Sequence, residues 1–522
     1  MRTKDLASLA RADEHRLQPA WPWLAMRTTW PTFVTGVVLL WFFIAFLTTI
    51  QFSTPNLVGT DDYFHIKFAQ VMREQGLRPP FPWLPLTILN PQDYVDHHWL
   101  FHVLLIPFTY GDLRIGAKWA GVIFPALAFL AGWIFLRGQR IPFAALWALG
   151  FLAVSEAFLF RMGMARVQAT SLLLLLLILH VTLTRHERWL LPLTFIYVWL
   201  YDAFPMIGLM VGLYVLSCWL LERQLKWLPL VYVGLGIVLA LIINPYFPQN
   251  LFFIYYHALP KIIEIDSTAN VGNEWYPYDT WALVENSAPA LIAFVAGTLA
   301  LGFSQRRIST RTLTLFLITI LFGAFLFKSR RFIEYYPAFA LLFCALAWTS
   351  LLEEWSQARP WLQKLVPAVL VILLIPPMVY NLQATIADFQ DSNPYQRYAD
   401  ASAWLKAHTP AGSRLYQTDW DDFPQLYFYN TQNTYTLGLD PTYMELYNAP
   451  LYHLWQDING GRIEAPSQII AATFGATYVI SDLNHRSFLA EARNDPGLVE
   501  VYRDDYAVIF QVQPSTTKGA AG

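Results

Sequence analysis

Gly59-Thr60-Asp61-Asp62-Tyr63-Phe64-His65-Ile66-Lys67 follows directly on the first long apolar run of the chain, residues 31–52. It sets two adjacent carboxylates at a membrane surface, with no basic residue beside them before Lys67. Tyr63, Phe64, Phe68 and Met72 recur at helical spacing and predict an amphipathic interfacial helix that ends at Gly76. Asp61 can serve that helix simply as its N-cap, and Thr60 can do so equally well. The alternative use is chemical: a positioned carboxylate of tuned pKa can take or orient a substrate proton.

The rest of the chain surrounds this stretch with membrane. Of 522 residues, 56% are hydrophobic and only 14% charged, and the mean hydropathy is +0.36. A soluble chain carries about a quarter charged residues, whereas here apolar runs long enough to cross a bilayer as helices recur along most of the length. The net charge of -2 gives no basic excess and argues against a nucleic-acid partner. Cys218 and Cys344 both lie in apolar runs, so no disulfide framework is expected.

Lys and Arg concentrate in cytoplasmic loops, and their placement orients the spans. Residues 1–29 carry Arg2, Lys4, Arg11, Arg16 and Arg27 and read as a cytoplasmic segment before a retained anchor. About eleven spans, at most thirteen, are predicted within residues 30–381: 31–52, 113–136, 141–158, 168–184, 189–205, 206–221, 227–244, 287–303, 312–327, 332–352 and 365–380. Large outer loops occupy residues 53–111 and 245–286. Residues 382–514 alternate strand and helix patterns, which predicts a small α/β domain on the outer side, and 515–522 read as a disordered tail.

Several polar residues break this pattern. Arg161, Arg166, Lys328, Arg330 and Arg331 fall at outer ends of spans, where basic residues are scarce. Each alone can snorkel to lipid headgroups; together, on the side of an acidic loop, they suit an anionic ligand such as a lipid phosphate. Glu156 and Asp202 lie near outer span ends too. Asp96-His97-His98-Trp99 with His102 reads as the start of an interfacial helix whose histidines face water. His98 and His102, at i and i+4, also have a metal-compatible spacing. Asp440-Pro441 reads as an ordinary helix start.

Asp61-Asp62-Tyr63-Phe64-His65-Ile66-Lys67 resembles the Asp-Pro-Tyr/Trp-Phe-Asn-Tyr-Arg motif of oligosaccharyltransferase catalytic subunits, membrane glycosyltransferases of the GT-C fold. Gly111-Asp112-Leu113-Arg114-Ile115 is similar to that family's entry to the second span. Asn273-Glu274-Trp275-Tyr276-Pro277 is similar to its Ser-Glu-x-x-Pro motif. Ser329-Arg330-Arg331-Phe332 resembles the start of a late span, and Trp420-Asp421-Asp422-Phe423 stands where the family has Trp-Trp-Asp-Tyr-Gly. The resemblance implies Asp61 as catalytic carboxylate, Glu274 as a second acid, and Arg330 or Arg331 on the donor phosphate. Asp62, His65, His98, Trp420, Asp421 and Asp422 would serve the acceptor side or close over it.

Two departures alter what is implied. The family's acidic pair in its second outer loop is replaced by Arg161-Met162-Gly163-Met164-Ala165-Arg166, without a carboxylate. A divalent cation, Mg or Mn, on Asp61 and Glu274 thereby loses ligands, because hard cations want several anionic oxygens; Arg161 or Arg166 can supply positive charge at the donor phosphate instead. The sequon-reading motif is not intact either, so transfer to an Asn-x-Ser/Thr sequon is not expected. The expectation is a transferase of a bacterial inner membrane. It would move a sugar or glycan from a polyprenyl phosphate or diphosphate to a lipid, glycan or protein acceptor on the periplasmic face. The alternative on the same fold is a non-catalytic protein that binds or assembles lipid-linked glycans. A transporter fits less well, because the polar residues gather on one side rather than at the midplane.

Overall fold

The computed structural model describes residues 30–258, 272–358 and 361–513. The expected cytoplasmic segment 1–29, part of the second outer loop (259–271) and the tail 515–522 lie outside the described residues. The first 390 residues form α1 (Trp30–Gln51), α2 (Thr60–Gln75), α3 (Trp99–Leu105), α4 (Leu113–Gly138), α5 (Ala144–Leu149), α6 (Glu156–Met162), α7 (Gln168–Leu183), α8 (Leu190–Leu200), α9 (Pro205–Glu222), α10 (Leu228–Ile242), α11 (Gln249–Phe253), α12 (Thr280–Phe303), α13 (Thr310–Lys328), α14 (Tyr336–Ala358) and α15 (Leu362–Gln390).

Seven of these helices are long and apolar enough to cross a membrane: α1, α4, α9, α12, α13, α14 and α15. The other four expected spans take shorter or broken forms. The run at 141–158 breaks between residues 152 and 156 with a bend of 83°, and α7, α8 and α10 have only 16, 11 and 15 residues. At 1.5 Å per residue even α7 is about 24 Å long, short of the roughly 30 Å hydrocarbon core. The expected change of character at Asn381 falls inside α15, which runs on for about two and a half further turns to Gln390 despite Pro367, Pro376 and Pro377.

Beyond α15 come α16 (Ala399–His408), β1 (Arg414–Gln417), α17 (Phe423–Tyr429), β2 (Thr434–Tyr435), α18 (Thr442–Tyr447), α19 (Ala449–Asn459), α20 (Ser467–Phe474), β3 (Tyr478–Asp482), α21 (Arg486–Asn494), β4 (Leu498–Arg503) and β5 (Ala507–Val512). The sheet order is β2-β1-β3-β5-β4. β1 pairs in parallel with β2 and β3, while β5 lies antiparallel between β3 and β4 and closes a hairpin with β4. Asp440 Oδ1 accepts from the Thr442 backbone N–H at 2.9 Å, the ordinary helix start expected there.

The first outer loop belongs to the core of this domain rather than to the membrane surface. Phe64 and Phe68 of α2, Phe81 and Trp83 of the loop, and Phe423, Tyr427 and Tyr435 share one buried cluster. Phe64 lies 5.5 Å from the Tyr427 ring and Tyr63 lies 5.3 Å from Phe428, centroid to centroid. The apolar side of α2 therefore packs under α17, where an interfacial helix was expected to meet lipid. Aromatic pairs of this kind contribute about 0.5–1.5 kcal/mol beyond their buried area. They fix α2, and Asp61 with it, between the membrane helices and the sheet domain.

Candidate active site

Gly59 starts α2 because it has no side chain. Asp62 folds back so that its Oδ2 accepts from the Gly59 N–H at 3.3 Å, and a Cβ at position 59 would come within 2.5 Å of Asp62 Oδ1. Asp62 closes this capping box, is buried, and is pushed up to about 7 by that burial. Asp61 is relieved of capping. Its Oδ2 meets the Arg166 guanidinium at 2.7 Å, and 23% of its side chain stays exposed. Burial of the carboxyl raises its pKa above the usual range against the opposing pull of Arg166.

Arg166 reaches Asp61 through tight backbone packing. Gly163, just after α6, presents its carbonyl to Gln51 Nε2 at the end of α1, and a Cβ on Gly121 of α4 would come within 2.5 Å of that carbonyl. Lys118 of α4 is buried and donates to the carbonyls of Gln51 (2.6 Å) and Thr54 (2.9 Å), which fixes the link from α1 to α2. Neither arginine snorkels. Arg166 bridges Asp61 and Glu274 (3.5 Å to Oε1), while Arg161 reaches Glu274 Oε2 at 2.7 Å and, through Nε, Glu334 at 2.8 Å.

The second outer loop is pinned by the start of the late span. Ser329 Oγ donates to the Glu274 carbonyl at 2.9 Å. The Arg330 guanidinium donates to the carbonyls of Tyr276 (3.3 Å) and Pro277 (3.1 Å) and lies over the Tyr278 ring. Arg331 points the other way, 3.9 Å from Glu274 Oε1 and over Trp275. Among the described residues its buried Nε has no hydrogen-bond partner. Of the two arginines between which the sequence did not choose, Arg331 approaches Glu274 and Arg330 contacts the loop backbone. Burial works to raise the Glu274 carboxyl, but Arg166, Arg161 and Arg331 outweigh it and hold the group well below the usual carboxylate range.

Glu334, at the end of the turn that begins with Arg330, is a residue that motif reading missed. It is fully buried against Arg161. An acid at the outer start of an apolar run was a readable signal, the same one that marked Glu156 and Asp202. Glu334→Ala is expected to destabilise the protein by about 2–3 kcal/mol, the worth of a charged hydrogen bond in a buried site. A lowered thermal unfolding midpoint in detergent is the check.

His102 of the first loop does not face water. His102 is buried, with Nδ1 2.7 Å from Asp96 Oδ2 and Nε2 2.8 Å from His65 Nδ1. Both ring nitrogens are thus engaged, and no lone pair remains for a metal shared with His98. His98 stacks on Tyr201 at 5.5 Å and meets His65 edge-on at 5.5 Å.

The sheet domain closes over the cluster. Trp420 approaches Gly272 of the second loop within 3.7 Å of where a Cβ would stand. Asp421 is pushed up to about 7, first by burial and then by the charge of Asp61. Asp422 instead pairs with Arg397 at 3.2 Å and belongs to the domain's own packing.

Asp61 and Glu274 are the two carboxylates expected to share a divalent cation, and their surroundings do not suit one. Arg166 already stands between them, so a dication there would face a guanidinium at contact distance. Among the described residues, no group of three or more histidine, cysteine or acidic side chains converges as a metal site.

No protein-family model matches the sequence, and no curated protein matches it either. The fold, by contrast, has solved counterparts. The oligosaccharyltransferase AglB of Archaeoglobus fulgidus, solved with an inhibitory peptide and a dolichol-phosphate, superposes with a TM-score of 0.65 at 13% identity, covering 90% of this chain and 72% of its own. ArnT from Cupriavidus metallidurans, bound to undecaprenyl phosphate, gives 0.54 at 15% identity over 92% of this chain and 99% of its own. The mycobacterial arabinofuranosyltransferase AftD gives 0.52 at 16% identity over 91% of this chain and 41% of its own. The chain is a multi-pass membrane protein with the GT-C fold of these glycosyltransferases and a C-terminal sheet domain. At such identities the likeness is one of fold.

Proposed function

We propose that this protein is a GT-C glycosyltransferase that takes a sugar or glycan from a polyprenyl phosphate or diphosphate and delivers it to an acceptor hydroxyl on the outer face of a bacterial inner membrane. The observation that carries the reading is the meeting of Asp61, Glu274, Arg161, Arg166 and Arg331 in one ion-paired cluster, although they come from four separate segments. The basic inner loops support a cytoplasmic N-terminus and a periplasmic sheet domain.

In the proposed reaction Asp61 handles the acceptor while Arg166 holds that carboxylate in place. Arg331 receives the donor phosphate, because its contact to Glu274 is the loosest of the three guanidinia and it has a donor to spare. A guanidinium there stabilises the negative charge that develops on phosphate as the glycosidic bond breaks. Glu274 keeps the three arginines together, and Asp421, Trp420 and His98 line the acceptor side. No step passes through a metal ion. Excess EDTA is therefore expected to leave turnover unchanged, as measured by initial rates before and after chelation.

Incubating the purified protein with radiolabelled undecaprenyl-phosphate monosaccharides and following release of undecaprenyl phosphate tests the proposal. Turnover supports it. Binding without turnover favours a non-catalytic lipid-glycan binding protein on the same fold, a reading that the missing second acidic motif supports.

A further inference from the structure

Behind Asp61 runs a chain of hydrogen bonds that the reaction as described does not use. His65 follows Asp61 by one turn on α2, so the two side chains leave the same face of the helix. His65 Nδ1 is 2.8 Å from His102 Nε2, and His102 Nδ1 is 2.7 Å from Asp96 Oδ2. Asp96 and His102 are each almost wholly buried, with side-chain exposures of 2%. Asp96 also accepts the His98 backbone N–H at 3.0 Å. With one oxygen taken by that backbone N–H, the other oxygen of Asp96 is the acceptor that faces the His102 ring.

The tautomers then follow link by link. With Asp96 Oδ2 as acceptor, the proton of His102 sits on Nδ1. His102 Nε2 is thereby an acceptor, so the proton of His65 sits on Nδ1. His65 Nε2 carries the remaining lone pair, and among the described residues no protein group hydrogen-bonds to it. Placed one turn from Asp61 and within electrostatic reach of Arg166, that lone pair is the basic end of a relay.

We propose that His65 is the proton acceptor for the incoming nucleophile, with His102 and Asp96 as positioning residues that pass the proton away from the site. The inference rests on the glycosyl-transfer reading and divides its acid–base work. Asp61, tied to Arg166, orients the acceptor hydroxyl. As the acceptor oxygen bonds to the sugar, its O–H bond breaks and a new N–H bond forms at His65 Nε2. The Nδ1 proton of His65 passes to His102 Nε2, and the Nδ1 proton of His102 passes to Asp96. The electron pair of the broken glycosidic bond leaves with the phosphate at Arg331. One proton moves from acceptor to Asp96, and charge is conserved.

The surroundings suit that task. Burial, then the charges of His102, Arg166 and His97, keep the His65 imidazole neutral at physiological pH, so its lone pair is available before substrate arrives. The packed neighbours Phe64, Phe101 and His98 hold the ring by edge contacts at 5.4–5.5 Å. An incoming phosphate adds negative charge nearby and favours the transient imidazolium.

The test compares the wild-type protein, His65→Gln and Asp96→Asn in lipid nanodiscs. Release of undecaprenyl phosphate from undecaprenyl-phosphate monosaccharides reports turnover, and binding of undecaprenyl phosphate is measured separately. His65→Gln is expected to lower kcat roughly a hundred- to ten-thousandfold, the usual share of a general base, with binding of undecaprenyl phosphate unchanged. Asp96→Asn should lower kcat less and move its pH profile. A His65→Gln protein with wild-type kcat overturns the proposal. Nitrogen-15 spectra of labelled histidine in the wild-type protein give a second, activity-free arm: His65 and His102 protonated at Nδ1 agree with the relay, and a proton on His65 Nε2 at neutral pH rules it out. A wild-type protein that binds undecaprenyl phosphate but turns over none of the sugar donors removes the transferase reading and the base with it, a result distinct from a defect confined to His65→Gln.

Discussion

Asp61→Ala is expected to lower glycosyl transfer by about a hundredfold or more while the protein still folds and inserts. The separation of the two effects follows from the ion pairs. Arg166, which loses Asp61, keeps Glu274 at 3.5 Å, so the substitution does not strand a buried charge. Asp62, and not Asp61, closes the start of α2, so the helix keeps its cap. Asp61→Asn preserves shape and should be nearly as damaging, because a neutral amide neither holds Arg166 nor accepts strongly from a hydroxyl. The wild-type profile carries a further check. Burial lifts the Asp61 carboxyl above the usual range; the ionised form orients the acceptor, so transfer should fall as pH drops through that raised value, at a higher pH than for an ordinary carboxylate. Initial rates across the acidic range, together with detergent-stable expression of the variants, decide the matter. Near-normal transfer by Asp61→Ala would remove the centre of the proposed site.

What could be read from the sequence follows the physics of each signal. Apolar run length located the seven full spans, because crossing a bilayer sets a minimum helix length. At residues 189–205 the run is shared between α8, which stops at Leu200, and the turn before α9. Composition cannot distinguish a buried short helix from a span. Alternating strand and helix patterns marked the C-terminal α/β domain, whose sheet has five strands. The basic residues at outer span ends were marked by breaking a charge rule, and Arg161, Arg166 and Arg331 do converge with Asp61 and Glu274. Contacts between distant segments were not legible. Nothing local says that Phe64 packs on Tyr427 and not on lipid, that His102 is buried on Asp96, or that Arg330 and Arg331 face opposite ways. Each depends on how the sheet domain and the second loop settle on α2.

The adjacent arginines supply the sharpest discrimination between a built phosphate site and general basic character. Arg331→Ala is expected to weaken binding of undecaprenyl phosphate by about 2–5 kcal/mol, roughly thirty- to several-thousandfold in Kd. Arg330→Ala removes the same formal charge one residue away and should leave Kd within a few fold. The reason is commitment. Arg330 spends its guanidinium on the Tyr276 and Pro277 carbonyls and the Tyr278 ring, so its loss loosens the second loop and should appear chiefly in kcat, through Glu274. Arg331 has one long contact to Glu274 and an unmet Nε donor, so few existing contacts compete with an anion for its guanidinium. Arg331→Lys makes the geometry itself the variable. An ammonium retains charge but gives up the planar fork that grips phosphate through two parallel hydrogen bonds, and binding should recover only in part. Titration of each purified variant with undecaprenyl phosphate measures all three values on one scale. Equal losses in Arg330→Ala and Arg331→Ala would show that the phosphate responds to charge at this end of the bundle and not to the Arg331 guanidinium.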